Sequence, residues 1–179
     1  PCPVVAAIEG HAVGGGAELA RAADCRLLSR SGSLRCHQRS LGLSTGWGAS
    51  DRLSRLLGPD RAFSLLALGE PIQAEEALRI GLVTRLTPPG GALEEARKLL
   101  EGLSREPKAT RALKRLTRGS AAISEEQLAT ERALFSELWV SPTHWERVES
   151  WKQQARKRSR RSTENEKENA AQQPLVGEG

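Results

Sequence analysis

Apolar residues follow two different rhythms along this chain. Over Pro3-Val4-Val5-Ala6-Ala7-Ile8 they are consecutive and rich in β-branched side chains, the pattern of a short buried strand. Gly14-Gly15-Gly16 interrupts the pattern, and Ala17 to Ala23 is then built from strong helix formers. Arg26-Leu27-Leu28 predicts a second strand and Leu34-Arg35-Cys36 a third. Strand, glycine turn, helix, strand is the order of an α/β layer.

A loop rich in Gly and Ser, Gly42 to Gly48, separates this layer from a chain that stays helical. Asp51 to Leu57 carries Leu53, Leu56 and Leu57 and stops at Gly58-Pro59. Asp60 to Leu68 and Ala74 to Ile80 predict two more helices, and Gly81-Leu82-Val83 opens a short extended piece. Ala92 to Leu103 is amphipathic, with Leu93, Ala96, Leu99, Leu100 and Leu103 on one face. Pro107 opens a helix ending near Gly119. Ser124-Glu125-Glu126-Gln127 is a capping box, and the helix it starts is expected to bury Leu128, Leu134, Phe135 and Leu138. Ser141-Pro142 begins a last helix, proline being suited to a first turn. The reading divides the chain into a core over 1–90, a helical region over 91–152 and a disordered basic and polar tail over 153–179.

Composition narrows the function classes. The 179 residues are 38% hydrophobic, enough to bury a core. Only 3% are aromatic, four Trp and two Phe with no Tyr, which argues against reading single strands or sugars by stacking. Much of the formal charge of +5 sits in Arg156 to Arg161, which reads as solvated tail, so no nucleic-acid partner is expected. No apolar stretch approaches the roughly 18 residues of a membrane span, and no charged-then-apolar leader opens the chain. Cys2, Cys25 and Cys36 are odd in number and lack zinc spacing, so reduced thiols and no metal are expected, in the cytosol or alternatively the mitochondrion. The chain has no Met and begins at Pro1, so it is read as a fragment or a processed piece.

The glycine triplet is the first chemical signal. A strand running through glycines into a helix leaves free backbone N–H groups at the positive end of the helix dipole. Such a turn can hold a phosphate or an oxyanion, or can simply allow tight packing, and the triplet alone does not choose between them. Leu19 stands where a dinucleotide fingerprint needs its third glycine, and no Gly-Lys-Ser/Thr follows for a P-loop.

The longer string does choose. Pro3-Val4-Val5-Ala6-Ala7-Ile8-Glu9-Gly10-His11-Ala12-Val13-Gly14-Gly15-Gly16-Ala17-Glu18-Leu19, followed by Ala23-Asp24-Cys25-Arg26-Leu27, resembles the signature of the crotonase (enoyl-CoA hydratase/isomerase) superfamily. The likeness continues through Leu41-Gly42, Gly48, Arg52-Leu53, Gly58 and Ala77-x-x-x-Gly81-Leu82-Val83. It implies an α/β chain of the ClpP/crotonase spiral fold, its C-terminal part, with a helical C-terminal oligomerisation region. It also implies an acyl-CoA thioester substrate, no separate cofactor because coenzyme A is part of that substrate, and a homotrimer or hexamer whose C-terminal helices reach over the neighbour's site.

The resemblance places one oxyanion N–H on Gly15, beside Gly14, and the other upstream of Pro1, so the 179-residue chain alone is expected to be inactive. It places a catalytic Glu on Glu18 and the family's second Glu, 20 residues on, at Gln38. An amide neither activates water nor delivers a proton, so hydration and double-bond shift are disfavoured unless the neighbouring His37 substitutes. Within the superfamily the ethylmalonyl-CoA decarboxylases resemble the chain most. They also lack the second Glu, and they share a loop of the Ser-Trp-Gly type, which here reads Gly46-Trp47-Gly48, with Arg52-Leu53 after it and a Leu-Trp-x-x-Pro pattern, here Leu138-Trp139-Val140-Ser141-Pro142. The implied activity is decarboxylation of a malonyl-type thioester, with Gly15 stabilising the enolate, Glu18 protonating carbon or positioning substrate, and Trp47 shaping the acyl pocket or merely packing. The competing expectations are a crotonase-fold chain without chemistry and a hydratase using His37. Asp24 is expected to be structural, and Arg35 and Arg39 are either phosphate contacts or solvated charge.

Overall fold

A computed structural model describes the backbone of residues 2–119 and 125–171, with side chains over 2–117 and 125–159. Strand β1 (Val5–Ile8) leads through β2 (His11–Val13) into helix α1 (Gly15–Ala22), then β3 (Cys25–Ser29) and β4 (Ser33–Arg35). A single 3₁₀ turn follows at Gln38–Leu41. Helices α2 (Ala49–Leu57) and α3 (Pro59–Leu68), strand β5 (Ile72–Gln73), helix α4 (Ala74–Arg79) and strand β6 (Arg85–Thr87) complete the α/β part. Four helices follow: α5 (Ala92–Ser104), α6 (Pro107–Gly119), α7 (Glu125–Trp139) and α8 (Pro142–Ala171).

The strands form two small sheets. One has the order β1-β3-β6, all parallel, with Ile8 opposite Leu28 and Leu28 opposite Leu86. The other has the order β2-β4-β5, parallel between β2 and β4 and antiparallel between β4 and β5. Adjacent residues of a strand face opposite sides of its sheet. Leu27 and Leu28 are both fully buried, so both faces of β3 are covered, as expected of a parallel sheet. Leu28 joins Leu34, Leu53, Ala62, Ala77 and Leu82 in the core, while α5 packs on β1 and β3.

Several expectations shift. Strands β2 and β5 are too short to show a period. Gly81-Leu82-Val83 is a turn, because the N–H groups of Leu82 and Val83 both bond to the carbonyl of Ala77, and β6 starts only at Arg85. On α7, Leu128, Phe135 and Leu138 are half-buried, but Leu134 is exposed and Glu131 is the buried position. The Ser124 cap lies outside the described residues. The helix α8 continues past Gln153 to Ala171, where the sequence reading placed the start of a disordered tail. Loss of apolar periodicity ended that reading, yet the segment remains rich in Arg, Lys, Glu, Gln and Ala, all good helix formers that extend a helix once it is nucleated. Residues 172–179 lie outside the described residues.

Candidate active site

The strand-to-helix turn is held by one glycine. Gly14 sits at φ 55° and ψ −119°, a conformation costly for any side chain. Its N–H bonds to the carbonyl of Arg35 at 2.8 Å, and its carbonyl accepts the Glu18 N–H at 3.1 Å. The amides of Gly15, Gly16 and Ala17 are therefore first-turn donors without an intrahelical carbonyl. Gly15 is required for a second reason. A Cβ there would lie 2.6 Å from the indole of Trp47, so the ring rests directly on this glycine.

Glu18 stands in the first turn of α1 and is 3% exposed. Its Oε1 accepts the Gln38 Nε2–H at 2.5 Å. Its Oε2 accepts the backbone N–H groups of Trp47 at 2.9 Å and Gly46 at 3.3 Å. A carboxylate accepts and an amide both donates and accepts, so this bond sets the orientation of the amide. Gln38 is buried, and its Oε1 is left without a partner. Beside it, burial and then the Glu18 charge push the Cys36 thiol up to about 11. Burial and then the Arg35 guanidinium hold His37 below the usual imidazole range, which favours the neutral ring.

Gly14, Gly15, Glu18, His37, Gln38 and Trp47 all line one cavity of about 390 Å³. The opposite wall comes from Phe135, Trp139 and Trp151, which the sequence reading had not assigned to the site. Phe135 lies so close to Gly46 that a Cβ on that glycine would meet its ring at 2.8 Å. Phe135 stacks on Trp139 with ring centroids 5.5 Å apart. The buried His144 bonds through Nδ1 to the carbonyl of Leu41 at 2.7 Å, tying α8 to the 3₁₀ turn. The C-terminal helices thus stand over the cavity of their own chain. A signal for this wall was present: three of the four tryptophans fall at positions 139, 145 and 151, in a region otherwise poor in aromatics.

Other candidates lie elsewhere. Asp24 accepts the Val4 N–H at 2.7 Å and the Lys114 ammonium at 2.8 Å, pinning the start of β1 to α6. Arg35 donates to the Gly69 carbonyl at 2.7 Å, and Arg39 is exposed. Among the described residues, no group of three or more His, Cys, Asp or Glu is placed to hold a metal, and no helix is long and apolar enough to cross a membrane.

The pattern of the enoyl-CoA hydratase/isomerase family matches residues 1–164. An ethylmalonyl-CoA decarboxylase of Gallus gallus is 35% identical over 151 residues, which is 82% of this chain and 51% of the relative. A short-chain-enoyl-CoA hydratase of Clostridium acetobutylicum is 36% identical over 139 residues, 76% of this chain and 53% of the relative. The crystal structure of carnitinyl-CoA hydratase from Mycobacterium avium superposes with a TM-score of 0.77 at 31% identity, covering 85% of this chain and 60% of that one. The chain thus spans about half the length of the curated relatives it matches.

Proposed function

Because the chain belongs to the enoyl-CoA hydratase/isomerase family, we propose that its cavity takes an acyl-CoA thioester and favours loss of carbon dioxide from a malonyl-type acyl group, ethylmalonyl or methylmalonyl. The observation that carries this reading is the Glu18–Gln38 pair. Adding water across a double bond needs one group to activate water and another to deliver a proton. Here Gln38 cannot ionise, and among the described residues Glu18 is the only carboxylate on the cavity wall.

Decarboxylation makes a smaller demand. The electrons of the breaking carbon–carbon bond flow onto the thioester oxygen, and the Gly15 N–H at the positive end of α1 is suited to that charge. The apolar wall of Phe135, Trp139 and Trp151 favours loss of a charged carboxylate as neutral carbon dioxide. The resulting carbanion takes one proton. Two tasks are open to Glu18, delivering that proton or holding the pocket in shape. Coenzyme A enters as part of the substrate, and the proposed assembly is a homotrimer or hexamer.

The test is to assay the chain with ethylmalonyl-CoA, methylmalonyl-CoA and crotonyl-CoA. Where the thioesters are turned over, carbon dioxide release is expected to lead, with hydration of crotonyl-CoA at least about 10²-fold slower, the scale of losing one general catalyst. Faster hydration than decarboxylation would overturn the reading. Binding of the thioesters without turnover would favour a crotonase-fold binding chain, which the un-ionisable Gln38 also suits. In an active chain, Gly15→Val should lower turnover about 10²-fold by displacing the N–H and the indole together.

A further inference from the structure

We infer that Glu18 is a positioning residue, whose carboxylate latches the loop over 42–48 so that the Trp47 indole lies across Gly15 and forms the floor of the acyl pocket. The inference rests on the acyl-thioester reading of the cavity for its purpose, but not for its geometry.

The loop is held at its start by the Leu43 N–H on the Gln38 carbonyl and near its end by the Arg52 guanidinium on the Trp47 carbonyl. It begins at Gly42 and ends at Gly48, with φ of 72° and 79°. The backbone N–H groups in its centre, at Gly46 and Trp47, bond to Glu18 Oε2, 28 and 29 residues back in the chain. Glu18 itself is held from the other side by Gln38. Both carboxylate oxygens thus act as acceptors, and between them they serve three N–H donors. The result of the latch is visible at Gly15, where the indole occupies the space a Cβ would need.

This arrangement separates the latch from a proton-donor role. Glutamine at position 18 has the same shape as glutamate but only one acceptor oxygen. With the Gln38 amide turned over, its unpartnered Oε1 would accept the new NH₂ group, and the remaining oxygen at position 18 would still face the Gly46 and Trp47 N–H groups. Glu18→Gln would therefore keep the latch, and Glu18→Ala, which removes both acceptors, would release the loop. If Glu18 delivered a proton, Glu18→Gln would cut kcat with the loop still in place.

The experiment uses the whole 179-residue chain, with backbone amide exchange and the indole N–H resonances as readouts, Trp47→Phe serving to assign Trp47. In the unmodified chain the Gly46 and Trp47 amides should be protected. Glu18→Ala should speed their exchange about tenfold or more and move the Trp47 indole signal, while amides in α3 exchange as before. With a malonyl-type substrate, Glu18→Ala and Trp47→Ala should each raise KM, and the double variant should add little to either. Unprotected Gly46 and Trp47 amides in the unmodified chain would overturn the latch even if the variant failed to fold. Unchanged exchange and an unmoved indole in Glu18→Ala would overturn it too. An intact latch in a chain that neither binds nor turns over acyl thioesters would remove the functional reading and leave the latch standing.

Discussion

Two glutamates of this chain do the same job in opposite settings. Glu9 and Glu18 each collect backbone N–H groups from a distant segment. Glu9, on the surface between β1 and β2, accepts the Gly90 N–H at 2.5 Å and the Ala92 N–H at 2.9 Å, and so caps α5 from more than 80 residues away. Glu18, buried at the start of α1, binds the centre of the loop over 42–48 and the Gln38 amide. At the surface, water competes with each of these bonds, and the carboxylate contributes to the fold alone. Inside the cavity, its loss strands three donors and changes the shape of the pocket. Identical chemistry meets different surroundings through the place where the fold puts it.

The largest difference between the two should appear on deletion. Glu18→Ala leaves Gln38 Nε2 and two backbone N–H groups without their acceptor. A buried donor left unmade costs about 1–3 kcal/mol, so a loss of about 2–4 kcal/mol in urea unfolding is expected after partial rehydration. Glu9→Ala should cost clearly less in the same experiment, because Gly90 and Ala92 regain water. Equal losses would erase the contrast.

Acid should sharpen it next. The N–H groups of Ala92 and then Gly90 hold the Glu9 carboxyl below its usual range. With the folded value below the unfolded one, the stabilisation from Glu9 is fully present above the unfolded value. It is lost as pH falls through the folded one. Glu9→Gln should therefore weaken the chain at neutral pH but not at the acid end of that window. The unfolding midpoints of the two proteins should converge as pH is lowered from about 5 toward 3. A constant difference would mean that Glu9 acts through packing instead of charge.

The smallest expected effect reads the charge of Glu18 through a neighbour. Cys36 is pushed up to about 11, first by burial and then by Glu18, whereas Cys2 is exposed. At pH 8, iodoacetamide should modify Cys2 at least about tenfold faster than Cys36, since only the thiolate reacts. Removing the Glu18 charge should raise the Cys36 rate modestly. Comparable rates at Cys2 and Cys36 in the unmodified chain would contradict the burial.

Much of the site was legible because it is local. The glycine turn is visible in the chain itself, because Gly14, Gly15 and Gly16 stand between a strand pattern and a helix pattern. The roles of Gly15 and Glu18, and the candidacy of His37, Gln38 and Trp47, came through the family resemblance, and the structure gathers these residues with Gly14 around one cavity. Phe135 escaped because helical spacing reads it as core, and Trp139 and Trp151 because their spacing signals a shared aromatic face without saying what that face will wall. The helix α8 beyond Gln153 escaped for the opposite reason, since a solvated helix carries no apolar period to read.

By itself, the sequence determined the α/β order, the glycine turn, the helix-rich second half and the replacement of a second carboxylate by Gln38. The first three follow from backbone preference and periodicity, which act over a few neighbours, and the last from the family resemblance. Only the tertiary structure decided that Glu18 would spend its oxygens on Gly46 and Trp47, that Glu9 would cap α5, and that the aromatic residues of α7 and α8 would close the chain's own cavity. Each of these joins groups 28 or more residues apart. A carboxylate carries no mark of which N–H groups it will meet, because that depends on how strands and helices pack once their apolar faces have left water.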